Sequence, residues 1–403
     1  VVLAAMMATA CADPGVSPVE AQLVSTRVAQ SAVSLDITPS SLGWHEQARS
    51  LVGQNNLSPL AAARVYAALS VAQYAAVMQV GDADANGVLP ENGIGAGGRS
   101  AVEAHRGAVA GASVTVLSRF FPAAAANLAQ RAATLGGTGK VHPQFARGLA
   151  IGNAAGDAMI QRLANDRFTA PWTGTVPTGP GMWIANGPPA GATFGNVMTY
   201  FLTSGDQFRP GGPPAFTSAA FAADRDEIRA LSDGRTPQQT SSAIQWNYAT
   251  GTFTPPGYWD LVTANYITTY RLDERAATHA FALTNGSGMD ALIACWDAKY
   301  FYWTLRPSQA DAGITLTFGL PNHPSYPSGH SCVSSAAATV LTHLFPERAT
   351  ELAGWVTESG LSRMYAGIHY RFDITAGQDL GQAVANWAIA LDENVGLLAA
   401  IAR

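Results

Sequence analysis

Three short segments in the last quarter of the chain carry residues able to grip an anion. In the first, Lys299 and Arg306 bracket Tyr-Phe-Tyr-Trp-Thr-Leu, and Pro307 follows. Seven positions are two helical turns, so on one helix stopped by Pro307 both cations would project from one face. The aromatic residues between them point to burial, and a buried cation needs a partner. The second segment, His323-Pro-Ser-Tyr-Pro-Ser328-Gly329-His330, opens an apolar run over 331–345. A Ser-Gly-His turn at a helix start presents free backbone N–H groups, a hydroxyl and an imidazole, a set that suits an oxyanion. In the third, Ser362-Arg363-Met-Tyr-Ala-Gly-Ile-His369-Tyr-Arg-Phe-Asp373, Arg363 supplies a planar fork of donors. His369 and Asp373 are four apart, so on a continuous helix the carboxylate would orient the imidazole from one turn away. Each segment alone also fits something plainer: a solvated basic face, a capped turn, a structural ion pair.

Taken together the three resemble the motif set of the vanadium-dependent haloperoxidase and type 2 phosphatidic acid phosphatase superfamily. That set reads Lys-x6-Arg-Pro, then Pro-Ser-Gly-His, then Ser-Arg-x5-His-x3-Asp, and every fixed position is filled. Trp296-Asp-Ala-Lys299, His323-Pro324 and Gly367-Ile-His369 are similar to the soluble bacterial haloperoxidase-like branch, and the likeness runs over roughly 57–395. The resemblance implies one pocket for vanadate, or phosphate in the same place. Lys299, Arg306, Ser328, Gly329 and Arg363 would hold its oxygens, His369 would supply the apical nitrogen, and Asp373 would fix the His369 tautomer. His330 would be the acid–base catalyst, and Trp296 and His323 would line the halide side. The implied reaction is oxidation of a halide by hydrogen peroxide, bromide or iodide rather than chloride. The alternative is a soluble acid phosphatase that cleaves a phosphomonoester through a phosphohistidine at His369.

The elements that must position these residues read as helices. Apolar positions recur at helical spacing over about 60–78, 99–118, 124–134, 143–166, 218–233, 237–250, 258–284, 287–305, 329–345, 347–358 and 374–395. Ser58-Pro59 is an N-cap followed by proline at the first helical position. Strand signals are scarce, and 170–217, rich in Pro, Gly and aromatics, reads as one long functional loop. The expected fold is all-α: a large helical bundle, or two packed four-helix bundles, with the site within 296–373 of a single domain over 26–403.

Composition agrees. Of 403 residues, 48% are hydrophobic and 13% charged, enough for a large core and too little charge for disorder. The net charge of −5, with no basic run, excludes the footprint of a nucleic-acid binder. Only Lys140 and Lys299 are lysines, so one of the two sits in the motif set. Cys295 and Cys332 lie in apolar stretches and read as buried small side chains. Residues 1–25 read as a truncated secretory leader or a tail, with Cys11 after small residues as a lipid-attachment position in the first case, so the expectation is export to the periplasm or beyond. No later run offers ~18 uninterrupted apolar residues, so a soluble body is expected, with self-association left open.

Overall fold

The computed structural model describes residues 38–83, 98–137 and 139–402. The leader reading of 1–25 and the Cys11 expectation lie outside those residues. Fourteen α-helices are described: α1 (Ser40–Gln54), α2 (Pro59–Ala83), α3 (Gly98–Phe120), α4 (Ala125–Leu135), α5 (Pro143–Asn165), α6 (Ala219–Asp233) and α7 (Pro237–Gln245). Then come α8 (Thr254–Tyr270), α9 (Glu274–Tyr302), α10 (Pro307–Ala310), α11 (Gly329–Leu344), α12 (Ala349–Tyr365), α13 (Arg371–Val395) and α14 (Leu397–Ile401). Among the described residues β pairing is confined to two isolated bridges, Met182–Thr304 and Thr250–Thr252.

Helix α9 is the spine. It packs against α2 on one side and against α11 and α13 on the other, while α3 and α5 close over α2, and α11 and α13 pack together. A continuous core that includes Trp44, Tyr66, Leu69, Trp259, Leu292 and Val340 runs through both groups. Helices α3 and α5 approach backbone to backbone: a Cβ on Gly148 would fall 1.9 Å from the Ala104 carbonyl oxygen. Helix α2 is long and apolar enough over Pro59–Gly81 to cross a membrane, with mean hydropathy 1.3, a stretch the sequence reading passed over; 83% of that window is buried in the fold.

Three expected helices are redrawn. The patterns at 258–284 and 287–305 imply a break near Gly286-Ser-Gly288, yet α9 runs straight through it. Gly286 is there because Phe201 packs against its Cα, within 2.8 Å of where a Cβ would stand. The break comes earlier, at Arg271 with left-handed φ 52°, before Asp273 caps α9 by accepting from the Ala276 N–H at 2.8 Å. The helix over 347–358 continues to Tyr365, which places Arg363 in its last turn.

The segment between α5 and α6 is the expected long loop. It clamps the C-terminal end of α9: the Trp183 N–H donates to the Trp303 carbonyl at 2.7 Å, and Trp296 Nε1 and the Tyr300 hydroxyl donate to the Ala190 carbonyl. Buried Asp290 accepts the N–H groups of Tyr200, Phe201 and Leu202 at 2.7–3.0 Å, which ties the loop to the spine.

Candidate active site

Lys299 and Arg306 do not share a helix face. Helix α9 ends at Tyr302, Trp303 turns left-handed (φ 52°), and Arg306 is the N-cap of α10. Pro307 therefore opens a helix where the spacing implied that it stops one; it stands at the first helical position, where its missing N–H costs nothing. Both cations are fully buried. The Lys299 ammonium donates to the carbonyls of Pro324 (2.9 Å), Ser325 (2.7 Å) and Pro327. Those bonds use all three of its protons and fix the loop that leads into Ser328-Gly329-His330. Burial pushes Lys299 down to about 8 and Arg306 down to about 10.

The second segment folds as its sequence implies. Ser328 is the N-cap of α11, and Gly329 and His330 are its first two residues. First-turn N–H groups of a helix have no intrahelical partner, so this end offers donors and the positive end of a dipole. A Cβ at 329 would sit 3.0 Å from the Trp296 ring, so glycine lets α11 start against that indole.

His369 stands before α13 rather than within it. Tyr370 is the N-cap, and Asp373, at the third helical position, folds back over the helix start. Its Oδ2 accepts His369 Nδ1–H at 2.8 Å, the Ser325 hydroxyl at 2.6 Å and the Tyr370 N–H at 3.1 Å. The His–Asp pair thus forms through a capping geometry, not through one turn of continuous helix. Gly367, at φ 76°, makes the turn out of α12 that delivers His369. With Nδ1 donating, His369 Nε2 carries the lone pair and accepts from Arg306 Nη1 at 3.1 Å. Burial pushes Asp373 up to about 6, despite Ser325 and Lys299 pulling it down. His369 is held well below the usual histidine range by burial, with Arg306 and Lys299 adding to it.

Arg363 is fully buried at the end of α12. Its Nε donates to Ser362 Oγ at 3.0 Å and its Nη2 to the Ala243 carbonyl at 2.7 Å, while Nη1 has no partner. His330 Nε2 donates to the Trp246 carbonyl at 2.9 Å, which leaves the Nδ1 lone pair free for chemistry. His330 also lies well below its ordinary value, through desolvation and then the charge of Arg363.

His323 lies against Trp296, ring centroids 4.9 Å apart. His323 Nδ1 lies 3.0 Å from Arg306 Nη2, which can only donate, and 3.2 Å from the Pro324 carbonyl, which can only accept; the shorter contact favours the tautomer with its proton on Nε2.

These pieces surround a cavity of about 530 Å³ whose lining includes Trp296, His323, Gly329, His330, Arg363 and His369. Lys299, Arg306, Ser328 and Asp373 stand directly behind that lining. The structure thus brings all ten sequence-predicted residues to one place, in two layers. Among the described residues no group of three His, Cys, Asp or Glu offers a cation site; the concentration of donors and positive charge selects an anion.

Sequence reasoning missed the tethers. Ser325 lay inside a motif already singled out, and its spacing from Asp373 gave no sign of contact. The Ala243 and Trp246 carbonyls, at the end of α7, hold Arg363 and His330 by backbone atoms, which no residue type announces.

The PAP2 superfamily model matches residues 277–396, which contain every one of these motif positions. This stretch is a PAP2 superfamily domain. The chain is similar to a non-specific acid phosphatase of Salmonella typhi, 49% identical over 105 residues, or 25% of this chain and 41% of that protein. The chain thus spans about two fifths of the length of the curated relative it matches. Two solved structures share the fold over most of the chain. A bacterial vanadium-dependent iodoperoxidase superposes with TM-score 0.72 at 23% identity, covering 89% of this chain and 98% of that one. An apo bacterial vanadium-dependent chloroperoxidase gives 0.65 at 16% identity, covering 86% and 96%. The PAP2 stretch is therefore embedded in a larger helical fold like that of these two structures.

Proposed function

We propose that the protein is a vanadate-dependent haloperoxidase that oxidises bromide or iodide with hydrogen peroxide. The observation that carries the reading is the buried, partnerless Nη1 of Arg363, on a cavity wall shared with His369 and the start of α11. A buried guanidinium N–H without an acceptor is costly, and an oxyanion oxygen is the acceptor this wall is shaped to take.

The donor set fits vanadate, and phosphate as its competitor. Arg363 Nη1, the Gly329 N–H, the Ser328 hydroxyl and Arg306 would hold its oxygens, and His369 Nε2 would supply the nitrogen ligand. Arg306 moves its Nη1–H from that lone pair to an oxygen of the anion. Lys299, its protons spent on carbonyls, adds positive charge and loop shape. Asp373 keeps the His369 proton on Nδ1. Bound vanadate would supply the activation of hydrogen peroxide toward halide. His330, neutral and tethered through Nε2, accepts and returns protons at Nδ1. His323 presents Nε2–H on the Trp296 side, where a halide can be held. The peroxidase-like fold over most of the chain supports the reading.

A second reading, the acid phosphatase, is favoured by the 49% identical stretch. There His369 Nε2 forms the bond to phosphorus as the ester P–O bond breaks, and the leaving oxygen takes the proton that His330 Nδ1 acquires when the anionic ester binds. Water, deprotonated by His330, then attacks phosphorus and frees His369. Side-by-side assay separates the two: bromination of a phenol dye with vanadate and peroxide, against nitrophenyl phosphate hydrolysis without vanadate. Dye bromination abolished by excess phosphate is the expected result. Hydrolysis alone would overturn the peroxidase reading in favour of the phosphatase.

A further inference from the structure

The cavity is far larger than its anion. A volume of about 530 Å³ falls within the roughly 300–1,000 Å³ of pockets that enclose drug-sized organic ligands. A tetrahedral oxyanion has five heavy atoms, and a halide has one. Beyond the histidines and Arg363 the walls are mainly apolar: Tyr248, Pro256, Leu292, Phe318 and Val333 line most of the remaining space, with Asn247, Thr250 and Asn322 the polar exceptions. Tyr248 is set there by a left-handed backbone, φ 37°, that a bulky residue adopts only at a conformational cost. It is braced by Tyr258 behind it, with centroids 5.3 Å apart and planes at 28°. Phe318 lies 5.4 Å from the Arg363 guanidinium carbon, so one ring face joins the anion floor to the apolar walls.

We infer that this chamber binds an uncharged aromatic group of an organic substrate, in contact with the oxyanion. The inference rests on the oxyanion reading above and names what lies beside the anion. Flat rings match walls of Tyr, Phe, Trp and proline, where offset and edge contacts add to plain burial. A sugar or glycerol would strand its hydroxyls against Leu292, Val333 and Pro256. The ring either is joined to the anion, as in an aryl ester, or lies beside it, as an acceptor of the oxidised halogen.

Calorimetry without vanadate tests this at equilibrium. In one arm, inorganic phosphate, methylphosphonate, glycerol phosphate and phenylphosphonate are titrated into the full chain. In the other, 2-naphthol is titrated into phosphate-saturated protein. Both are repeated with Ala249→Trp, an exposed lining position where an indole would fill the chamber without altering its floor. The expected result is phenylphosphonate at least about tenfold tighter than methylphosphonate, from burial of one ring, or naphthol binding to the loaded site. Either preference should vanish in Ala249→Trp while phosphate affinity stays. A preference in the first arm identifies a joined ring, and one in the second a free acceptor. Phosphate binding with no aromatic preference in either arm overturns the chamber and leaves the oxyanion site standing. Absence of phosphate binding brings down the oxyanion reading, and the chamber with it.

Discussion

Among the described residues there are two buried histidine–aspartate pairs, and they are built to opposite ends. His45 on α1 meets Asp260 on α8 at 2.5 Å, with Arg49 on the other carboxylate oxygen and Asn285 donating at 2.9 Å. Gln73 and Ser113 continue the chain of bonds, and Phe281 stacks on the imidazole at 3.6 Å. Burial pushes Asp260 up, but His45 and Arg49 outweigh it and the net shift is downward. Asp373, equally buried, is pushed up to about 6, and its partner His369 lines a cavity on which Arg363 has one donor unspent. Composition does not separate the two clusters, since each has His, Asp and Arg. The difference is whether the protein itself closes every bond. The first cluster fastens α1, α2, α8 and α9 together; the second is left incomplete on the side where a ligand enters.

That contrast can be broken most severely at His369. His369→Ala should abolish turnover and anion capture while the thermal transition of the anion-free protein persists, as activity assay and calorimetry together would show. Asp260→Ala should do the reverse. Removing one partner of a buried pair leaves Arg49 and His45 uncompensated and should cost about 3–5 kcal/mol of stability in urea unfolding. A loss below 1 kcal/mol would show that the cluster is not a fastening.

Arg363→Ala sharpens the contrast from the other side. It removes a charge-assisted contact worth roughly 1.5–3 kcal/mol, so phosphate affinity should fall about 10- to 150-fold, with helical content unchanged. Proton linkage gives a smaller, signed effect. His330 and His369 lie well below their ordinary values in the anion-free site, and a bound anion offsets the positive charge that holds them there. Binding of sulfate, which does not titrate in this range, should therefore take up protons and tighten as pH falls toward the histidine range; calorimetry in buffers of different ionisation enthalpy reads the uptake directly. Weaker binding at lower pH would contradict the assigned charges. The mildest effect is expected of His323→Phe. It should alter the relative rates of bromide and iodide oxidation, or their pH dependence, while phosphate affinity changes least of all these variants.

The residues of the first cluster were not legible as a group: nothing in the spacing of His45, Asp260 and Asn285 brings them together, because tertiary packing alone does so. The anion site was legible because its residues fall in three compact segments whose order and spacing carry the superfamily likeness. Where the sequence misled was in the backbone between them. Two helical turns from Lys299 to Arg306 and one from His369 to Asp373 both assumed unbroken helix, and both spans contain a helix end. The site needs those ends, since a helix start supplies free N–H groups and a turn can aim two neighbours into one cavity. The aromatic chamber left no motif, because apolar walls at helical spacing look like core.

Lys299 gives the protein a clock of its own opening. The chain has two lysines; Lys140 is exposed, and Lys299 is wholly buried with its protons on three carbonyls. A reagent that acylates side-chain amines therefore meets Lys140 at once, and Lys299 only when the 324–327 loop lets go. The ratio of the two labels in a mass spectrum counts how often the floor of the anion site comes apart, and an oxyanion that binds there should slow the count.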